Sequence, residues 1–229
     1  MTDSFFKYPS TPHLALLEGL SVRDDKVLSD FEKKQFLQHK IIVEEKIDGA
    51  NLGISFDPAG NMLFQNRGSL LQVPFSGQWK KLTNWTGNRL NNLFDQLSDR
   101  YILFGEWCYA KHSISYENLP DWFLGFDIFD KKESKFFSCK RRDQVFNATG
   151  ISPVPELAYG KFTLKELTLF LQQSKFSHEP AEGLYLRIDS VDWLNERAKL
   201  VRPAFVQSVN KHWSQYSLEA NKLSKVGNR

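Results

Sequence analysis

Short apolar segments that each carry a charge constrain this chain more than any other feature. KIIVEEK (40–46), MLFQNR (62–67), YILFGEW (101–107), EGLYLR (182–187) and AKLVR (198–202) set Lys46, Arg67, Glu106, Glu182 and Lys199 in or beside strand-length apolar runs. A charge in an apolar strand is costly to bury unless it is paired or used. Singly, each fits a surface residue or a local ion pair. Together they describe a pocket with a lysine, cations suited to phosphates, and carboxylates suited to a metal or a sugar hydroxyl.

The pattern between these segments sets the fold class. Ile41 and Val43, then Leu52, Ile54 and Phe56, repeat at period two, which predicts strands. Asp57-Pro58-Ala59-Gly60-Asn61 is a turn signal, so 40–67 reads as a β-hairpin with Gly49 interrupting its first arm. WFLGFDIFD (122–130) predicts a further strand. Helical spacing is loose over 26–38 and clear over 76–98, with Gly87 as a break. Thr163-x-x-Glu166 is a capping box that opens a helix over about 163–173. Pro203 suits the first position of a helix running through Trp213. The opening, through about Gly19, is expected to wrap the surface. Strands and helices mix without βαβ alternation, so the expected class is α+β with largely antiparallel sheets flanked by helices. No Pro/Gly/Ser linker divides the chain, so 1–229 is read as a single domain.

Composition excludes several alternatives. A chain of 229 residues with 41% hydrophobic and 25% charged residues is neither collagen, a coiled-coil array nor wholly disordered. Aromatics at 14% point to a dense core or to stacking surfaces. The net charge is 30 − 27 = +3, which leaves a nucleic-acid partner open. Two cysteines build no disulfide framework or zinc quartet, and Cys108 with His112 lacks a further Cys/His pair, so both read as structural. Met1 is followed by no apolar signal core, and no run approaches the roughly 18 apolar residues of a membrane span. No membrane partner and a cytoplasmic, intracellular location are expected.

Glu45-Lys46-Ile47-Asp48-Gly49-Ala50-Asn51 is the most informative stretch. An ordinary lysine, with a pKa of about 10.4, is almost wholly protonated at neutral pH. Burial or a neighbouring cation would lower that value and expose a nucleophile. Asp48 shares the face of Lys46 if the strand is regular, and Gly49 permits a tight turn. Phosphoryl and nucleotidyl transfer need such parts, because catalysis there is mostly positioning and charge neutralisation. No Walker loop or Rossmann Gly-x-Gly-x-x-Gly is present, so phosphates would be held by side chains.

KIDG (46–49), FGE (104–106), FLGFDIF (123–129), EGLYLR (182–187) and AKLVR (198–202) resemble, in order, the motifs of the covalent nucleotidyltransferases, the superfamily of polynucleotide ligases and mRNA capping enzymes. EKIDGAN, RGSLL and GFDIF resemble the ATP-dependent RNA ligases of the RNA ligase 2 branch most. The resemblance implies an ATP-grasp-like nucleotidyltransferase domain whose motifs span 46–202. Lys46 would attack the α-phosphate of ATP and carry AMP, with Asp48 beside it. Glu45, Ile47 and Asn51 would line the ATP site. Arg67 would contact phosphate, that of ATP or of an RNA 5′ end, and Glu106 the ribose. Phe126 would stack on adenine, supported by Asp127. Glu182, with Asp127, would bind Mg²⁺ or Mn²⁺. Lys199 would contact the α-phosphate, and Arg187 falls where the family places a second basic residue.

The last motif is usually Lys-x-Lys; here Val201 stands two residues after Lys199, and the next cation is Arg202. Arg202 reaches the pocket only if its strand ends near Val201. Only 27 residues follow Arg202, so no appended OB domain is expected, and Lys211, His212, Lys222, Lys225 and Arg229 against Glu219 make 203–229 a basic tail. That tail reads either as a solvated helix end or as a contact to RNA phosphates. The implied activity is sealing of RNA 3′-OH and 5′-phosphate ends in RNA repair, with 3′-phosphates healed by a separate kinase-phosphatase. The rivals are a small ATP-dependent DNA ligase, a guanylyltransferase, and a non-catalytic RNA-binding subunit.

Overall fold

The structure, a computed structural model, describes residues 5–17, 26–203 and 218–225. The helix expected through Trp213, and Lys211, His212 and Arg229, lie outside the described residues. Two sheets carry the fold. The first has the order β10-β9-β1-β8, from β1 (Ile41–Lys46), β8 (Glu156–Gly160), β9 (Gly183–Asp189) and β10 (Leu194–Val201), all antiparallel. The second runs β3-β2-β4-β5-β6, from β2 (Ala50–Phe56), β3 (Met62–Gln65), β4 (Tyr101–Trp107), β5 (Phe123–Asp130) and β6 (Lys135–Phe136). A short β7 (Ser152–Pro153) pairs with β5 in parallel. The α+β class with mainly antiparallel sheets is therefore observed.

Alternation along the strands explains how the sheets meet. On the first sheet Ile41, Val43, Leu184, Leu186, Ile188, Ala198 and Leu200 form one apolar face. That face is covered by Leu14, by Phe36 of α1 (Asp30–Gln38) and by Leu167 of α5 (Leu164–Leu169). The second sheet packs Leu52, Ile54, Leu103, Trp107 and Ile128 against α2 (Leu82–Gly87), α3 (Leu90–Leu97) and α4 (Cys139–Thr149). Apolar faces thus point outward to helices, and the inner faces carry the charged side chains beside an apolar patch of Ile102, Phe104 and Phe129, since successive residues alternate sides. Glu44, Lys46, Tyr185, Arg187, Arg197 and Lys199 share the inner face of the first sheet, because Glu44↔Tyr185, Arg197↔Arg187 and Lys199↔Tyr185 are direct cross-strand pairs.

Three expectations are corrected. Gly49 does not interrupt a hairpin arm: the chain changes sheets there, and the hairpin is β2–β3 alone. The opening segment does not wrap the surface. Leu14 N–H donates to Lys199 O and Lys199 N–H to Pro12 O, both at 2.8 Å, so the segment edges β10, while Phe6 and Tyr8 pack onto Ile102, Phe104 and Phe129. The aromatic side chains and the unpaired edge of β10 both draw it in. The final described segment, 218–225, is not a helix end: its backbone pairs with the β4–β5 connection, with Asn221 buried and most of its other side chains exposed. Helix α5 opens with the expected capping box, both reciprocal hydrogen bonds present. Among the described residues no helix is long and apolar enough to cross a membrane.

Candidate active site

Lys46 is the last residue of β1, where the chain leaves one sheet for the other. Its partner across the strand is Gly183. A Cβ built on Gly183 would lie 2.6 Å from Leu200 O, so no other residue lets β9 and β10 approach as closely beside the lysine. Lys46 Nζ donates to Glu182 Oε1 at 2.5 Å. Asp48 does not sit on the same strand face, because β1 has ended. It lies in the turn, where its Oδ2 accepts the N–H groups of Ser113 and Ile114 at 2.7 and 2.8 Å. Glu106 comes from β4, opposite Asn51 on β2.

Electrostatics correct the sequence reading of the lysine. Burial alone would push the Lys46 ammonium down, but Glu182, Glu106 and Asp48 outweigh it and hold the pKa above the ordinary lysine value. Ligand-free, Lys46 is an ion-paired ammonium. The carboxylates bear the strain: burial, with incomplete relief from Lys46, pushes Glu106 up to about 8 and Glu182 up to about 7. Among the described residues Glu106 Oε2 and Asn51 Oδ1 are buried with no hydrogen-bond partner. Buried polar atoms are rarely left so, and Glu106 is near enough for its charge to act on Lys46.

The remaining cations fall at different depths. Lys199 is half-buried on the face of Lys46, and its charge acts on Glu182. Arg67 is exposed at the tip of a four-residue loop closed by the Gln65↔Leu70 bridge and shaped by Asn66 Oδ1, which accepts from Gly68 and Ser69; its charge acts on Glu106. β10 ends at Val201, as Arg202 requires, but Arg202 Nε donates to Ala181 O at 3.1 Å. Phe126 is unpaired in a bulge, since Phe104 pairs with Asp127 and Gly105 with Gly125. A bulge re-aims a side chain, and Phe126 lies half-buried against Tyr8 and Tyr185. Ile47 is core, packed with Cys108, Leu124 and Val201. Glu45 alternates to the face opposite Lys46, where its Oε2 accepts Lys175 N–H at 2.8 Å.

Two expected roles are corrected. Arg187 is not available to a phosphate: it is wholly buried, ion-paired to Asp127, and donates to Phe126 O and Phe137 O. Asp127 is not available to a metal. Its Oδ1 takes Arg187, and its Oδ2 takes the hydroxyls of Tyr8 at 2.5 Å and Tyr185 at 2.9 Å, with Arg197 at 3.4 Å. Motif position alone does not reveal that these two face each other. Tyr8, Tyr116, Arg142, Arg197 and Asn221 were not singled out from sequence, because their partners lie far away in the chain. Cys108 is buried, its Sγ 3.6 Å from Glu106 O, and His112 Nε2 is 3.0 Å from Gln78 Oε1. Among the described residues no three His, Cys, Asp or Glu cluster to hold a metal ion.

Comparison with known proteins places this geometry. No curated protein sequence matches the chain. Among solved structures it resembles the Naegleria gruberi RNA ligase with pyrophosphate, at 19% identity and TM-score 0.58, over 78% of this chain and 55% of that one. A variant of that ligase with ATP and Mn matches at 17% and 0.56, over 76% and 53%. A provisionally named ATP-dependent DNA ligase of Aquifex aeolicus matches at 20% and 0.60, over 93% and 55%. These likenesses show the fold, and the chain spans about half the length of the ligases it matches. The RNA ligase family model matches residues 39–201, most of the chain, with Lys46, Arg67, Glu106, Phe126, Glu182 and Lys199 among them, and the chain belongs to the RNA ligase family.

Proposed function

We propose that this chain is an ATP-dependent RNA ligase domain that joins 3′-OH and 5′-phosphate RNA ends through AMP carried on Lys46, in RNA repair. The observation that carries the reading is the lysine at a sheet crossing, bonded to Glu182 and acted on by the charge of Glu106, whose Oε2, like Asn51 Oδ1 opposite it, is buried without a partner among the described residues. Those two acceptors suit ribose hydroxyls. Lys199 and Arg67 suit phosphates, and the bulged Phe126 suits an adenine face.

In the first step Lys46 Nζ, having lost its proton, bonds to the α-phosphorus of ATP, and pyrophosphate leaves. Glu182, hydrogen-bonded to Nζ at 2.5 Å, is the group through which that proton passes on to solvent, which leaves its carboxylate ionised for a cation. AMP then passes to the RNA 5′-phosphate, and the 3′-OH displaces it to form the phosphodiester. The surplus of carboxylates over Lys46 fits a divalent cation, and Mg²⁺ characteristically takes one or two carboxylates plus substrate phosphates. Glu182 would hold it; bound there, the ion neutralises phosphate charge. The Naegleria ligase with ATP and Mn supports this cofactor pair.

The test is incubation with α-labelled ATP and Mn²⁺, then a denaturing gel. Label should stay on the wild-type protein and vanish in Lys46→Ala; label retained on that variant sinks the reading. The likeness to the Aquifex protein, over 93% of this chain, favours a DNA ligase as second reading. Nicked RNA and nicked DNA duplexes, offered in parallel, separate the two. A 3′-phosphate end should stay unsealed until a separate kinase-phosphatase is added.

A further inference from the structure

Residues 108–122, which join β4 to β5, contain no strand or helix. Their backbone groups need partners from elsewhere, and residues 219–224 supply them. Asn221 N–H donates to Tyr109 O at 3.0 Å, Lys222 N–H to Tyr116 O at 2.9 Å and Ser224 N–H to Leu119 O at 2.8 Å. In return Lys111 N–H donates to Glu219 O at 2.8 Å and Leu119 N–H to Lys222 O at 3.0 Å. The Asn221 side chain completes the exchange. Its Oδ1 accepts Tyr116 N–H at 2.9 Å, and its Nδ2 donates to Cys108 O at 2.8 Å and Ala110 O at 3.3 Å. Asn221 is buried, and its amide takes the place of a neighbouring strand.

The same connection holds Asp48. Besides the Ser113 and Ile114 N–H groups on its carboxylate, Asp48 donates its own N–H to the Tyr116 hydroxyl at 2.8 Å. Tyr116 is wholly buried, gripped at its backbone by Asn221 and touching Asp48 with its far end. Hydrogen bonds therefore run without interruption from the 219–224 segment to the turn after Lys46. We propose that Asn221 and Tyr116 are positioning residues that fix Asp48 beside Lys46, so that residues 219–224 belong to the lysine site. This rests on the reading of Lys46 as the residue that carries AMP. Lys222 contributes to this through its backbone, and the Lys111 and Glu219 side chains pair with each other at 3.0 Å.

The test uses the full chain, with Tyr116→Phe and Asn221→Ala. Single-turnover self-adenylylation is followed across ATP concentrations with Mn²⁺, beside backbone hydrogen exchange at Asp48, Ser113 and Ile114. A misplacement of about 1 Å at a reacting site costs up to about a hundredfold. The maximal rate should therefore fall roughly ten- to a hundredfold in Asn221→Ala and by a smaller factor in Tyr116→Phe. The ATP concentration for half-maximal rate should stay within about twofold, because no ATP contact is removed. The three amides should exchange faster in both variants. A folded variant with the wild-type maximal rate, or a loss confined to ATP half-saturation, overturns the proposal. Should Asn221→Ala fail to fold, Tyr116→Phe, which removes one hydroxyl and keeps the ring, decides alone. A wild-type chain that takes up no label refutes the adenylylation reading instead. Exchange then still judges the positioning: faster at the three amides supports it, unchanged overturns it.

Discussion

Two charged clusters stand on the same inner faces, and they differ in whether their carboxylates are satisfied. Around Asp127 both oxygens are taken, by Arg187, Arg197, Tyr8 and Tyr185. Burial would raise its pKa, yet the Arg187 and Arg197 guanidiniums hold it below the ordinary carboxylate value. Around Lys46 three carboxylates crowd one ammonium, and although the Lys199 and Arg67 charges also act on Glu182 and Glu106, these two are pushed up to about 7 and about 8. A buried polar group without a partner costs more than a paired one contributes. The first cluster is thus a brace between the sheets, with both Asp127 oxygens taken up by the protein itself. The second is incomplete alone, which is what a binding site requires.

Breaking the brace should have the largest effect on stability. Removing one member of a buried ion pair strands the other, at about 3–5 kcal/mol. Asp127→Ala leaves Arg187 and Arg197 without their shared carboxylate, so its urea midpoint should collapse. Lys46→Ala, in the open cluster, should abolish labelling while shifting that midpoint far less. Equal destabilisation by the two would erase the distinction between the clusters.

The open cluster should also show itself in pH. Glu106, with a folded pKa of about 8, binds its proton more tightly in the folded protein than in the unfolded chain, whose glutamates titrate near 4.3. Between those values the native state holds more protons, so unfolding free energy falls as pH rises. Glu182, raised to about 7, acts in the same direction. The ligand-free melting temperature should drop from pH 5 to pH 8, and Glu106→Gln should flatten the slope. A melting temperature that climbs over that window would contradict the crowding of carboxylates around Lys46.

What the sequence revealed divides along the same line. Period-two runs located most of the long strands, and the motif residues Lys46, Glu106, Glu182 and Lys199 do converge, because each lies on or at the end of a strand whose alternation fixes its face. The brace was not legible. Tyr8 meets Asp127 across 119 positions and Asn221 meets Tyr116 across 105, and neither spacing leaves a local signal. Helix α4 was missed for a related reason: it buries Arg142, paired with the Glu44 carboxylate at 2.8 Å, so its inner face does not read as apolar. Arg187 was misread because a motif specifies spacing and not the carboxylate waiting on the other sheet.

The smallest expected effect concerns the final motif, and it separates residues that a sequence treats as neighbours. Lys199 sits on the inner face, across from Tyr185, where its charge reaches Glu182. Arg202 follows the end of β10. Its N–H donates to Glu182 O at 2.9 Å and its Nε to Ala181 O at 3.1 Å, so it ties down the backbone that presents Glu182. Lys199→Ala should remove a charge-assisted phosphate contact of about 1.5–3 kcal/mol, slowing adenylylation roughly ten- to a hundredfold. Arg202→Ala removes a bond to a neutral carbonyl, so it should cost about 1 kcal/mol of stability and slow adenylylation less than tenfold. Parallel rates and urea midpoints for the two variants decide the matter. An Arg202→Ala protein as slow as Lys199→Ala, with its stability unchanged, would mean that the guanidinium leaves the Ala181 carbonyl when ATP binds and serves as the second cation after all.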